Sequence, residues 1–188
     1  MGHIRKTQTH DKVRIALAQL LAEKAYDEIT VAELAQRAGI NRKTFYNNYT
    51  GIHMALEELT QQIADDFGGP LSDIDFMDLL NNPEIVFIKL GRLFQEKLLL
   101  YENLLRIPQN TLVYAKMHGA LKEKLFEVFS ENMNEAKFEL AIDYHLTGIV
   151  IAYKSWVDKG MKEDIDELSR FLSVLVIHGI RGLFENES

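Results

Sequence analysis

With 188 residues, 47% of them apolar, the chain has material for one compact unit or two small lobes, which excludes a disordered protein. The net charge of −7, if spread evenly, would oppose a polyanionic partner. The absence of cysteine excludes a disulfide framework, thiolate catalysis and a zinc–thiolate site.

Apolar residues recur at three and four positions throughout, and no segment alternates as a strand would, so the chain reads as all-α. The periodicity predicts a first helix from about Thr9 to Lys24, with Val13, Ala16, Leu17, Leu20 and Leu21 on one face. "YDEIT" ends it, and Thr30 with Glu33 three residues later forms a capping box for a short second helix. Val31, Leu34, Ala35 and Ala38 are its apolar stripe, and Gly39 supplies the backbone freedom for a tight turn. Asn41 is the N-cap of a third helix, Arg42 to about Asn48, and Thr50 caps a fourth from near Ile52 to about Phe67.

"GGPLSD", residues 68–73, reads as the main punctuation of the chain. It divides an N-terminal lobe of residues 1–50 and a connecting helix, 51–67, from a C-terminal helical lobe, 68–188. A short helix fits 75–80. Asn82 as N-cap and Pro83 at the first helical position open a helix to about Arg106, which "IPQNT" breaks. Further helices cover about 111–133, 136–159 with a close at Lys159-Gly160, and 164–184.

Charge is unevenly distributed along these elements. Residues 1–62 carry eight Lys/Arg against seven Asp/Glu, whereas residues 63–188 carry thirteen against twenty-one. Between Leu34 and Leu56 there is no carboxylate, yet Arg37, Arg42 and Lys43 are present, so this stretch is the locally cationic surface. Two short helices joined by a glycine turn are the sequence shape of a helix-turn-helix, whose second helix enters the DNA major groove. At about 100° per residue, Phe45 and Tyr49 share one face, suited to packing on the first helix and Ile40. The opposite face centres on Lys43 and Asn47, with Thr44 and Tyr46 beside them and Arg42 and Asn48 at its edges. Lys43, Arg42 and the Tyr46 hydroxyl can donate to phosphates, and Asn47 can offer its amide to a base edge.

"ITVAELAQRAGINRKTFYNNYTGIHMALEEL" resembles the DNA-binding region of the TetR family of bacterial transcriptional regulators. The features that carry the resemblance are Ile29-Thr30-Val31, Leu34-Ala35, Ala38-Gly39-Ile40, and Thr44-Phe45-Tyr46 followed by the aromatic Tyr49. It extends over about residues 9–60. "YHLTGIVIAYKSWVDKGM" and the helix after it resemble, more weakly, the short C-terminal domains of some members. The resemblance implies a homodimer that sets two recognition helices in successive major grooves of a roughly palindromic operator in double-stranded DNA, usually as a repressor. It places Thr30, Lys43, Thr44, Tyr46 and Asn47 at DNA-contacting positions. Where many members carry a lysine at the start of the fourth helix, this chain has Gly51-Ile52-His53, so one phosphate contact is replaced by His53 and the helix N–H groups or lost. Arg5, Lys6 and Lys12 offer further phosphate contacts near the N-terminus.

The last two long helices are apolar on more than one face, which calls for cover on two sides. One side is the chain's own core, and the other suits a twin subunit, with Tyr153, Leu172, Leu175, Gly179 and Leu183 as interface candidates. Tyr101, Tyr114, His118 and Trp156 are polar-tipped residues on otherwise apolar helices and are candidates to line a site for a small apolar or aromatic ligand. The six histidines form no HxxxH or HExxH pair, so neither metal nor other cofactor is expected. No phosphate loop or Ser/His/Asp arrangement points to an enzyme. No apolar run reaches the roughly 18–20 residues of a membrane span, and the start lacks a leader's apolar region, so a cytoplasmic location is expected. The competing reading, a helical protein–protein module with a degenerate head, differs in one cheap observable: it would flow through a heparin or DNA column at low salt.

Overall fold

The computed structural model describes the backbone of residues 2–72, 81–108, 111–129 and 135–185, and the side chains of 8–71, 81–108, 111, 114–126 and 139–178. Every regular element among them is helical: α1 (Gly2–Glu23), a 3-10 turn (Tyr26–Glu28), α2 (Val31–Arg37), α3 (Arg42–Tyr46), α4 (Ile52–Ser72), α5 (Pro83–Glu96), α6 (Leu98–Leu104), α7 (Leu112–Phe129), α8 (Glu135–Asp158) and α9 (Ile165–Glu185). The helix expected over 75–80 falls outside the described residues.

The chain divides into two compact units, residues 1–63 with 99–117, and residues 64–98 with 118–188. In the first, α1, α2, α3 and the start of α4 enclose Val13, Leu17, Leu34, Phe45, Tyr49 and Leu59, none more than 1% exposed. These are the residues that the helical spacing sets on the inward faces of their elements. The helix around Arg5 and Lys6 starts earlier than expected, at Gly2, and Lys12 is exposed on it.

In the second unit α9 lies along α5, and the crossing is close because Gly91 faces Ser169. Ser169 is fully buried and satisfies its hydroxyl on the Ile165 carbonyl at 2.7 Å. Phe94 stacks on Tyr153 at 4.9 Å between centroids and meets Trp156 edge-on at 6.1 Å, joining α5 to α8. Trp156 Nε1 donates to the Glu163 carbonyl at 3.0 Å, so both ends of this ring are accounted for inside the fold.

Two further elements and one cap differ from the sequence reading. "GGPLSD" does not end α4, which continues to Ser72 with Pro70 inside it. A proline there leaves the carbonyl of residue 66 without its helical donor. Burial of Leu71, and the Lys97 Nζ–Asp66 ion pair at 2.7 Å, hold this last turn against that loss. The helix expected from Pro83 to Arg106 is broken at Lys97, whose φ of −109° and ψ of 29° are not helical. Its two parts belong to different units. Pro83 does occupy the first turn of α5, but the Asn82 side chain makes no capping bond.

The α5–α9 crossing yields a stability prediction. Alanine is favoured over glycine in a helix by about 0.8–1 kcal/mol. A methyl at Gly91, however, would collide with Ser169 Oγ and press on Ile165, both buried. Overpacking costs typically about 1–3 kcal/mol, so Gly91→Ala is expected to lower the unfolding free energy by about 1–2 kcal/mol net. Urea unfolding checks it, and an increase in stability would show that the crossing can open to admit the methyl.

Candidate nucleic-acid interface

The α2–α3 segment is built by local capping. Thr30, extended at φ −105° and ψ 152°, accepts from the Glu33 N–H at 3.3 Å, and Glu33 Oε2 accepts from the Thr30 N–H at 3.1 Å. The Thr30 hydroxyl also donates to Glu33 Oε2 at 2.9 Å, so its proton is committed within the cap. Gly39 takes a φ of +64°, a left-handed conformation that a side chain would disfavour, and its neighbour Ile40 returns an N–H to the Ala35 carbonyl at 2.9 Å. Asn41 Oδ1 accepts from the Thr44 N–H at 2.7 Å and starts α3.

One turn of helix then separates the residues by face. Phe45 is 0% and Tyr49 1% exposed, and their rings stack at 5.2 Å. Arg42, Lys43, Tyr46 and Asn47 are exposed on the other side, Tyr46 at 59%. Thr44 is half-buried at the edge. Asn47 ends the helix in αR conformation, and the backbone continues with an i→i−4 bond from the Tyr49 N–H to the Phe45 carbonyl at 2.9 Å. Asn48, expected among the outward residues, is half-buried and spends its Nδ2 on the Thr44 carbonyl at 2.7 Å, which secures the end of the helix.

Salt links narrow the cationic surface. Arg37, read as part of it, donates through both guanidinium nitrogens to Glu23, at 2.8 and 2.9 Å. That link holds the Glu23 carboxyl below its ordinary pKa. Lys24 pairs with Glu33 at 2.5 Å, and this contact, with the Thr30 bonds, lowers the Glu33 pKa to about 2. Arg42 and Lys43 are left as the charged residues of the α3 face. At the start of α4, His53 is exposed and lies 3.0 Å from Glu57.

Behind this face is a polar cluster that the sequence reading missed. Tyr49 Oη, His10 Nδ1 and Glu58 Oε2 meet, with Arg14 on the second Glu58 oxygen. The only local hint was a hydroxyl on an aromatic at a core position.

The other candidates scatter. Tyr101 and Tyr114 belong to the first unit, and His118 and Trp156 to the second. Tyr101 is 3% exposed, Tyr114 is half-buried with its hydroxyl pKa raised by burial, and His118 Nδ1 stands 3.9 Å from Asp143. Of the interface candidates, Tyr153 and Leu172 are buried within the chain's own second unit, at 6% and 3% exposure. They face inward because α8 and α9 turn these sides to Phe94 and α5. Leu175 is 54% exposed, beside Phe171 and Val174 on α9, while Leu140 and Tyr144 are exposed on α8 at 72% and 74%. Gly179 and Leu183 lie in α9, and their side-chain environments are outside the described residues. Among the described residues no group of three or more His, Asp or Glu is placed to hold a metal ion. No helix there is long and apolar enough to cross a membrane.

Comparison with known proteins identifies the family. A family model described as "Bacterial regulatory proteins, tetR family" matches residues 16–52, and one described as "Transcriptional regulator C-terminal region" matches residues 81–178. No curated protein matches the chain. Among solved structures it is similar to a tetR-family transcriptional regulator from Streptomyces coelicolor, at 18% identity over 96% of this chain and 84% of that one, with a TM-score of 0.60. A TetR transcriptional regulator from Streptococcus agalactiae aligns at 18% identity over 93% and 97% of the two chains, with a TM-score of 0.58. FadR from Bacillus subtilis, solved with stearoyl-CoA, aligns at 19% identity over 89% and 97%, with a TM-score of 0.59.

The Glu33 cap carries a pH signature. Its folded pKa is depressed, so its contribution is present above the unfolded value of 4.5 and is lost as pH falls toward about 2. Because Glu33 is exposed, the contribution is modest and screened by salt. Between pH 5 and pH 2, roughly the span of the shift, Glu33→Gln is expected to lose less thermal stability than the unsubstituted chain. Parallel melting curves for the two would contradict the cap.

Proposed function

This chain belongs to the TetR family of bacterial transcriptional regulators and is a DNA-binding regulator of transcription; from that premise we propose that it acts as a dimeric repressor, binding a roughly palindromic operator through α3. The observation that carries the assignment of the reading face is the one on α3. Arg42, Lys43, Tyr46 and Asn47 are exposed together in a stretch of chain without carboxylates, while Phe45 and Tyr49 hold the helix from behind. Lys43, Arg42 and Tyr46 bind phosphates, Asn47 reads a base edge and Thr44 contacts the backbone at the margin, while Thr30 would reach a phosphate only by releasing its hydroxyl from Glu33. Asn48 acts at one remove, by closing the helix end on which Asn47 sits.

Dimerisation is proposed through α8 and α9. Leu140, Tyr144 and Ile151 recur at helical spacing on one exposed side of α8, and Phe171, Val174 and Leu175 on one side of α9. Large apolar side chains grouped in this way are uncommon on a monomer's surface. They replace Tyr153 and Leu172 in the interface, Leu175 is retained, and Gly179 and Leu183 would extend it along α9. A homodimer offers two α3 helices to a site with two-fold symmetry, with half-sites about one DNA turn apart. The proposed location is the cytoplasm, where the operator is.

A small apolar or aromatic ligand is proposed to release the operator, with Tyr101 and Tyr114 of the first unit as the polar-tipped residues that would meet it. The long-chain acyl-CoA in the Bacillus subtilis FadR structure is the kind of molecule that supports this proposal. A ligand that weakens DNA binding must itself bind the DNA complex more weakly, by the same factor.

Selection of bound sequences from a random duplex pool tests the reading, which requires a two-fold symmetric motif to emerge. On the selected duplex, Lys43→Ala and Tyr46→Ala are expected to weaken binding to all sequences. Lys43→Ala should also make the salt dependence shallower by about one unit of slope. Asn47→Ala should mainly relax base preference, by about 1–3 kcal/mol of discrimination at one position of each half-site. Unchanged affinity and selectivity in all three, measured by gel shift at fixed salt, would remove α3 as the reading helix. For the dimer, Tyr144→Glu with Phe171→Glu is expected to give a folded monomer in sedimentation, and a persistent dimer would move the interface elsewhere.

A further inference from the structure

The cluster beneath α3 joins three elements within the first unit. The Tyr49 hydroxyl, just beyond the end of α3, lies 2.9 Å from His10 Nδ1 on α1. The same nitrogen lies 2.6 Å from Glu58 Oε2 on α4. Glu58 Oε1 accepts from Arg14 at 2.7 Å, and Arg14 also reaches Asp11. The rings of His10 and Tyr49 are in contact as well, with centroids 5.1 Å apart.

A carboxylate oxygen 2.6 Å from Nδ1 requires a proton between them, so His10 donates to Glu58 through this nitrogen. The Tyr49 hydroxyl then cannot give its proton to Nδ1, and its contact with Glu58 runs through the His10 ring, whose Nδ1 both groups approach. Burial first, and the Glu58 charge second, raise the Tyr49 pKa, so the hydroxyl stays a neutral donor. Stacking on Phe45 needs only the ring. A buried hydroxyl would be a net cost if it were unbonded, so what it adds is the contact with His10 and, through that ring, with Glu58.

That link acts where α3 has least support of its own. The helix is a single turn, capped by Asn41 at its start, and Tyr49 is the next residue after its end to be fixed in the core. Tyr46 and Asn47, the outward side chains nearest that end, therefore take their direction from how Tyr49 is held.

We propose that Glu58 is a positioning residue for DNA recognition: through His10 and the Tyr49 hydroxyl it fixes the orientation of α3 relative to the α4 turn on which it sits, without touching DNA itself. The proposal rests on the reading of α3 as the DNA-contacting helix.

The test compares Tyr49→Phe, Glu58→Gln and the double variant with the unsubstituted chain, at a temperature where circular dichroism shows all four fully folded. Two quantities are read: affinity for the duplex that the unsubstituted chain selects from a random pool, at several salt concentrations, and amide hydrogen exchange over residues 45–49 without DNA. Each single variant is expected to weaken binding by roughly 3- to 15-fold, the double variant by no more than the worse single one, with the salt slope unchanged. Exchange at 45–49 should quicken, while that of Val13–Leu17 in α1 stays slow. A loss of stability alone would leave the affinity of a fully folded chain where it was. Unchanged affinity in the single variants overturns the proposal, as does an altered salt slope, which would mean a lost phosphate contact, or additive losses, which would mean separate roles. If the unsubstituted chain selects no duplex, the reading of α3 fails on its own. In that case exchange decides the anchoring: unchanged protection at 45–49 overturns it, and faster exchange confined to those residues upholds it.

Discussion

A five-residue helix has no stability of its own, because nucleating one turn of helix costs more than its hydrogen bonds return. Everything that α3 can do depends on the burial of Phe45 and Tyr49, which supplies the missing free energy and also selects which side faces out. Burying one such aromatic is worth about 1.5–3 kcal/mol, comparable to the whole net contribution of the Asn41 cap and the turn's backbone bonds. The outward side chains of α3 are thus arranged by two residues that never meet solvent.

The head was legible in the sequence because its determinants are local. A capping box, a left-handed glycine and a second cap each act within four residues, so Thr30, Gly39 and Asn41 behave as their residue types dictate. The inward pair, Phe45 and Tyr49, followed from helical spacing alone. Asn48 was misjudged because spacing locates a Cβ but not a hydrogen bond, and its amide had a carbonyl four residues back within reach. The partner that takes Arg37 from the cationic surface, Glu23, is fourteen residues away and on another helix, beyond any local rule. His10, Arg14 and Glu58 were invisible for the same reason.

The C-terminal two-thirds was legible as helices but not as faces. Both α8 and α9 carry apolar residues on more than one face, so the sequence reading did not separate Tyr153 from Tyr144, or Leu172 from Leu175. The packing node of Gly91, Phe94 and Ser169 breaks the tie, drawing Tyr153 and Leu172 inward and leaving Tyr144, Phe171 and Leu175 outside. Local signals also lost at residues 68–73. Two glycines and a proline are poor helix formers, yet Gly68 is buried where the Lys124 chain passes over it, and Leu71 is buried next to Pro70. Packing outweighed propensity there, as it commonly does when the two compete.

The pairing of Arg37 with Glu23 bears on how this protein would find its site. With Arg37 and Lys24 neutralised by carboxylates, the positive charge of the α3 face comes down to Arg42 and Lys43, on a chain whose net charge is −7. Beyond about 8 Å, the Debye length at physiological ionic strength, the field of these two charges is largely screened. With α3 as the reading helix, attraction would be confined to the last few ångströms of approach, electrostatic steering would add little to encounter, and random duplex would be held only loosely. Occupancy of an operator then depends on how slowly the fitted complex comes apart.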